Sequence, residues 1–232
     1  MLGIIGAMQE EVEILKNDIE HLEVKKHAHV EVYTGSLYGY EVVLMQSGIG
    51  KVNAALTTAL LIEHYQPEAI INTGSAGGLG QGLSVGDIVV SREVLHHDVD
   101  ATEFGYVLGQ VPGMPKTYAA DKKLISLTEE AIRHNDLHAH IGLIVSGDSF
   151  IGSLEKKQKI IENFPDVLAV EMEAAAVAQV AYQYQTPFII TRAVSDLANG
   201  EAGMTFEEFL KVACVSSSKI VKSLIETFAA TK

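Results

Sequence analysis

An α/β fold, with a central mixed β-sheet flanked by helices, is what this 232-residue sequence predicts. Short apolar runs alternate with helical patterns along most of the chain, as expected of strands joined by crossover helices. Two of those runs, 30–36 and 40–47, are separated only by Leu37-Tyr38-Gly39 and read as a hairpin, which brings antiparallel pairing into the sheet. The length and a 47% hydrophobic content suit one well-packed domain, taken as residues 1–232, rather than two.

In chain order, strands are expected at 2–6, 30–36, 40–47, 69–73, 87–94, 141–146, 168–170 and 188–194. Helices are expected near 9–20, 50–65, 121–134, 155–162, 172–184 and 205–228. On the first helix, a rotation of about 100° per residue places Met8, Val12, Leu15 and Ile19 on one stripe. Glu10 and Glu13 fall opposite, in solvent, whereas Glu11 lies beside Leu15 at the edge of the apolar stripe. After the strand at 69–73, Gly74-Ser75-Ala76-Gly77-Gly78-Leu79-Gly80 reads as a tight turn where backbone can approach a ligand, with the Ser75 hydroxyl at its apex. The stretch 96–118 carries Phe104, Tyr106, Pro112, Pro115 and Tyr118 with little periodicity. Irregular segments of that length tend to be functional or to pack against a partner. In Glu171-Met172-Glu173, helical phase groups Glu173 with Val177, Val180 and Ala181 and turns Glu171 away. Asp196 ends the apolar run from Phe188, beyond the carboxyl end of a buried strand, where open α/β sheets bind ligands. Thr205 and Glu208 form a capping pair for the last helix.

Bulk properties remove several function classes. A net charge of −13 and a pI near 5.1 disfavour nucleic acid and anionic membranes as partners. The single cysteine, Cys214, excludes an internal disulfide and cysteine-rich metal sites, and it reads as a small apolar residue on the last helix. No apolar run approaches the ~18 residues of a membrane span, and the N-terminus lacks a basic start, so no signal peptide and a cytoplasmic setting are expected. None of the nine histidines has metal-like spacing on one helix face, and His96-His97 beside Asp98 and Asp100 reads as a solvated loop. No metal and no cofactor are expected. Gly48-Ile49-Gly50-Lys51-Val52 ends like a phosphate-binding loop, but Met45 and Val52 stand where glycine and serine or threonine are needed. The glycines at 74–80 lack the dinucleotide spacing, which argues against an NAD-dependent oxidoreductase.

What remains is a set of carboxylates in costly places. Glu11, Glu173 and Asp196 each follow a strand, as do Gly74-Ser75 and Ser146-Gly147-Asp148-Ser149-Phe150, so a parallel arrangement gathers them at one rim. A buried, unpaired carboxylate needs a partner or a function. Structural roles stay open at this point: helix-start charge for Glu173, and an N-cap or a salt bridge to Arg192 for Asp196.

Seven motifs stand in an order that carries a resemblance. They are Gly3-Ile4-Ile5-Gly6-Ala7-Met8 with Glu10-Glu11-Val12, Ser47-Gly48-Ile49-Gly50-Lys51, Asn72-Thr73-Gly74-Ser75-Ala76-Gly77-Gly78, Val85-Gly86-Asp87-Ile88-Val89, Ser146-Gly147-Asp148, Val170-Glu171-Met172-Glu173 and Arg192-Ala193-Val194-Ser195-Asp196. From Leu2 to about Phe228 the chain resembles the 5′-methylthioadenosine/S-adenosylhomocysteine nucleosidases of the nucleoside phosphorylase/hydrolase superfamily. The resemblance implies a nucleoside phosphorylase-like fold and hydrolysis of the N-glycosidic bond of those two nucleosides, with 5′-deoxyadenosine as a further substrate. It implies Glu11 as the base that activates water, Asp196 as the acid that protonates adenine N7, and Ser195 as its support. It implies that Glu173 binds the ribose hydroxyls over Met172, that Phe150 stacks on adenine, and that the Ile151 backbone reads the base edge. Ser75 and Arg192 take supporting places, and Met8, Ile49 and Phe206 wall the sugar and 5′-thio pocket. Phe104 and Pro112 match the segment that the family contributes across a homodimer interface. Ala101 stands where relatives carry a larger aliphatic residue, and Gln9 where they often carry an acid.

Two rivals differ in ways that can be tested. A phosphorylase of the same fold needs an arginine-rich anion pocket at the N-terminal turn, which here carries Glu10 and Glu11. A nucleoside sensor without catalysis predicts loss of Glu11, Glu173 or Asp196, and all three are present.

Overall fold

The structure, a computed structural model, describes residues 1–135, 138–197 and 206–231. Strand β1 (Leu2–Gly6) is buried at every position, and it lies between two parallel neighbours, β4 (Tyr40–Gln46) and β5 (Ala69–Gly78). Helix α1 (Gln9–Asp18) leaves the end of β1 and buries Glu11, Val12 and Leu15, while Glu10 and Glu13 are exposed as helical phase predicts. Strand β3 (Val30–Leu37) pairs antiparallel with β4 through a turn in which Tyr38 and Gly39 both have positive φ (50° and 71°). That two-residue turn matches the twist of the strands it joins. Helix α2 (Lys51–Tyr65) then crosses back to β5.

An edge strand escaped the sequence reading. β2 (Glu20–His27) pairs with β3 at the edge of the sheet, yet none of its residues is fully buried. Its sequence, Glu20-His21-Leu22-Glu23-Val24-Lys25-Lys26-His27, carries the charge that protects an exposed edge, and a bulge between Glu20 and Glu23 disturbs its alternation. Its hydrophobic residues, Leu22 and Val24, are both exposed, so the strand lacks the run of buried positions that marks the others.

The other half of the sheet curls back on itself. β6 (Ile88–His96) pairs with the short β7 (Tyr118–Ala119), which sequence also missed, and runs parallel to β8 (Ala139–Ser146). β8 runs parallel to β9 (Val167–Glu171), and β9 pairs antiparallel with the far end of β5. β10 (Phe188–Leu197) pairs with both β5 and β6, so β5, β9, β8, β6 and β10 form a closed circuit. Closure corrects one expectation. Residues 74–78 are a continuation of β5, not a turn, because that stretch finds partners in β10 and β9. It also changes how the carboxylates meet: Glu173 follows a strand antiparallel to β5, so curling rather than uniform strand direction brings it in.

Helices α3 (Lys122–His134), α4 (Leu154–Asn163), α5 (Ala174–Tyr184) and α6 (Phe206–Ala229) bring the helices among the described residues to six. The buried alanines 174, 175, 176, 178 and 181 let α5 lie close to its neighbours. Thr205 and its expected cap with Glu208 lie outside the described residues. Cys214 is buried on α6, and burial pushes its thiol up to about 12. The stretch after β6 stays irregular as expected, with one 3-10 turn at Thr102–Phe104. No helix among the described residues is long and apolar enough to cross a membrane.

Candidate functional site

Four carboxylates line one cavity of about 380 Å3, Glu11, Glu171, Glu173 and Asp196, together with Met8, Ile49 and Ser75. Phe150, Ile151, Met172 and Ser195 complete the predicted residues on its wall. The volume falls in the range of small-molecule sites, roughly 300–1,000 Å3.

Glu11 owes its place to the sharp exit from β1. Its Oε2 accepts the backbone N–H groups of Ala7 (2.9 Å) and Met8 (3.1 Å), and its Oε1 accepts Ser75 N–H (2.9 Å) and Ser75 Oγ (3.1 Å). Four donors aimed at one carboxyl group complement an anion. Gly74 makes the room: a Cβ there would sit 2.7 Å from Glu11 Oε1. The sequence placed Glu11 inward and Ser75 at the same rim of the sheet, and tertiary structure joins them.

Glu171 corrects the helical-phase argument. It is buried, not turned to solvent, because α5 begins at Ala174, after it. Its carboxylate accepts Glu173 N–H (3.0 Å), Ala174 N–H (2.9 Å) and the Ser146 hydroxyl, so it closes the start of α5 with negative charge. Arg192 Nη2, also fully buried, donates to Glu171 Oε2 (2.6 Å) and to Asn72 Oδ1 (2.6 Å). Burial opposes charge on Glu171, but the Arg192 guanidinium and the Ser146 hydroxyl hold its carboxyl below the usual range. Arg192 thus stands behind the cavity rather than in its wall.

Glu173 is the carboxyl whose environment disfavours its charge. Burial is the largest cause and the neighbouring Glu171 the next, and together they raise it to about 8 despite Arg192. The Gly50 N–H donates to Glu173 Oε1 at 2.8 Å, which ties the loop before α2 to the start of α5.

Asp196 has a partner that sequence did not reveal. Lys157 on α4 lies with Nζ 2.6 Å from Asp196 Oδ2, so the salt bridge weighed for Arg192 is made by a lysine instead. The Lys157 side chain is 6% exposed and that of Asp196 27%, so the lysine approaches from inside and the carboxylate faces the cavity. Ser195 Oγ lies 3.2 Å from Asp196 Oδ1. Lys157 sits among Glu155, Lys156, Gln158 and Lys159, and its inward phase one turn before the buried Ile160 was the available clue.

Other predicted residues lie elsewhere. Phe104 is 82% exposed and Pro112 is exposed, and neither lines this chain's cavity. Phe206 opens α6, and its side chain lies outside the described residues. His96 is not in a solvated loop: it ends β6, buried, with Nε2 2.9 Å from Gln179 Oε1. Desolvation pushes the rings of His96 and of His97 towards the neutral form. Among the described residues no cluster of His, Cys, Asp or Glu is arranged to hold a metal ion.

Comparison with known proteins agrees across the chain. Residues 1–226 match the model of the Phosphorylase superfamily. The 5′-methylthioadenosine/S-adenosylhomocysteine nucleosidase of Staphylococcus epidermidis is 57% identical over 227 residues, covering 98% of this chain and all of that protein. Its counterpart from Staphylococcus aureus strain JH9 is 56% identical, covering 97% and 99%. The crystal structure of the Neisseria meningitidis nucleosidase of that name, in complex with methylthio-immucillin-A, superposes with a TM-score of 0.94 at 48% identity, covering 97% of this chain and 98% of that one. The Colwellia psychrerythraea enzyme, in complex with adenine, gives 0.94 at 46% identity, with 97% and 94% covered.

Two outcomes follow from this electrostatic arrangement. Arg192→Met leaves Glu171 buried without its cation and should cost about 3–5 kcal/mol, read as a lower urea midpoint. Glu173→Gln should remove a pH-dependent penalty. Below pH 4.5 the carboxyl is protonated folded or unfolded; between 4.5 and about 8 only the unfolded chain releases the proton, so wild-type stability falls as pH rises through that window. The melting temperature of Glu173→Gln should therefore gain on wild type from pH 5 to pH 8, and parallel curves would rule the raised carboxyl out.

Proposed function

The chain belongs to the Phosphorylase superfamily and, within it, to the family of 5′-methylthioadenosine/S-adenosylhomocysteine nucleosidases, which are N-glycosyl hydrolases; on that premise we propose that it hydrolyses the N-glycosidic bond of both nucleosides, and of 5′-deoxyadenosine, releasing adenine. The observation that carries this reading is the convergence of Glu11, Glu173 and Asp196 on one nucleoside-sized cavity.

Breaking the C1′–N9 bond builds positive charge on the ribose and negative charge on the departing adenine, and the site must stabilise both in the transition state. Glu11, oriented by four donors, is the base that takes a proton from the attacking water. Asp196 is the acid that protonates adenine N7, with Ser195 beside it. Glu173 binds the ribose hydroxyls with Met172 beneath the sugar, Phe150 stacks on the base, and the Ile151 backbone reads its edge. Met8 and Ile49 wall the 5′ side. Phe206 belongs to the same 5′ wall in this reading, while Phe104 and Pro112 of a second copy complete the pocket in a homodimer. The exposure of Phe104 supports that last assignment.

Water rather than phosphate is the acceptor favoured by charge. Among the described residues the cavity wall holds no arginine or lysine, and Arg192 is engaged by Glu171 and Asn72. Among the described residues, the charged side chains that a phosphate dianion would meet on that wall are all carboxylates.

Asp196 would act from within an ion pair, with Lys157 Nζ 2.6 Å from its Oδ2 fixing where the carboxyl faces the base.

Chromatography should detect adenine released from methylthioadenosine in phosphate-free buffer, without ribose-1-phosphate when phosphate is added. Asp196→Asn and Glu11→Gln should each lower kcat by about 10²–10⁴-fold; near-wild-type turnover in either variant would strip that residue of its role. Lys157→Met removes the partner that fixes the Asp196 carboxyl, so kcat should fall by about tenfold. An unchanged kcat would show that the ion pair does not position the acid.

A further inference from the structure

Three loops meet at the mouth of the cavity through contacts that the proposed chemistry does not use. Lys51 begins α2, Asp98 follows β6 and Asp148 follows β8. The Lys51 ammonium lies 2.6 Å from Asp98 Oδ1, and the Asp148 backbone N–H donates to Asp98 Oδ2 at 2.9 Å. The Lys51 backbone N–H donates to Asp148 Oδ1 at 2.7 Å, which closes a ring of three residues. Burial opposes charge on Asp98, yet the Lys51 ammonium and the Asp148 amide hold its carboxyl below the usual range.

Each member of the ring adjoins a part of the pocket. Next to Lys51, the Gly50 N–H donates to Glu173 Oε1 at 2.8 Å, and Ile49 lines the cavity. Gly50 has φ of +99°, and a Cβ there would stand 3.1 Å from Asp148 Oδ1, so the position calls for glycine. After Asp148 come Ser149, Phe150 and Ile151, all on the cavity wall. Among the described residues the same loops are also braced by His97 N–H donating to Ser146 O at 2.8 Å and by Asn53 Nδ2 donating to Ile49 O at 2.8 Å.

We propose that Lys51, Asp98 and Asp148 are positioning residues: their ring clamps the loop on the sugar side of the pocket to the loop on the base side. The clamp holds the Gly50 N–H against Glu173 and keeps Phe150 and Ile151 over the base. None of the three lines the cavity. The inference rests on the reading above, in which Glu173 takes the ribose and Phe150 the base. A part-exposed ion pair of this kind contributes little to global stability, so its role is to be sought in binding rather than in melting temperature.

Asp98→Asn and Lys51→Met, with Lys51→Arg as the conservative control, separate these effects. Their kcat and KM for methylthioadenosine would be measured alongside melting temperature and backbone hydrogen exchange. In Asp98→Asn and Lys51→Met we expect KM to rise about tenfold, the worth of about one charged hydrogen bond. kcat should stay within about threefold (under 1 kcal/mol), melting temperature should be little changed, and exchange should quicken in segments 48–51 and 148–151. Lys51→Arg should recover most of the loss. An unchanged KM with unchanged exchange in Asp98→Asn overturns the proposal. So does a joint fall of kcat, affinity and melting temperature in Lys51→Met that arginine fails to rescue. If wild type releases no adenine, the functional reading fails, and the exchange comparison still decides whether the clamp exists.

Discussion

One buried cation organises the acidic half of this molecule. Arg192 sits inside β10, fully enclosed, and its guanidinium reaches Glu171 at the end of β9 and Asn72 within β5. Removing both ions from water carries a large penalty, which the pair offsets only because its geometry is tight and the remaining acceptors of Glu171 are occupied by Ser146 and the first amides of α5. Those same amides lead directly into Glu173. The ion pair therefore fixes where α5 starts, and the start of α5 fixes where Glu173 points.

Charge balance follows from the same contact. Glu11, Glu171 and Glu173 all act on Arg192, but only Glu171 holds it directly. Glu173 is left buried beside a carboxylate with the cation one residue removed, which is why its charge is disfavoured. Glu11, a short distance away in the same wall, meets the opposite circumstance, with four donors around it. Glu171 and Glu173, two carboxyl groups of one cavity wall, are driven towards opposite protonation states by their surroundings, the kind of contrast on which acid and base roles within one pocket depend. Asp196 adds a third environment, a carboxylate backed by a lysine.

Much of the fold was legible in the sequence. Among the described residues, eight of the ten strands and all six helices announce themselves through apolar runs and helical phase, because each buries a face against a second layer. β2 and β7 did not, since an exposed edge strand and a two-residue strand carry no such pattern. The inward placement of Glu11 could be read from its phase on α1. That of Glu171 could not, because phase presumes a helix boundary, and the boundary depends on a capping charge held by a residue 21 positions away.

By itself the sequence determined which residues are apolar, which carboxylates stand at strand ends, and in what order the motifs run; these are properties of local patterning, and local patterning is written in consecutive residues. Tertiary structure alone decided the rest. Closure of the sheet through β10 brought Asp196, Glu173 and Glu11 to one cavity, and packing of α4 delivered Lys157 to Asp196. Such pairings join residues far apart in the chain, and their energies depend on burial and distance, quantities that exist only once the chain has folded.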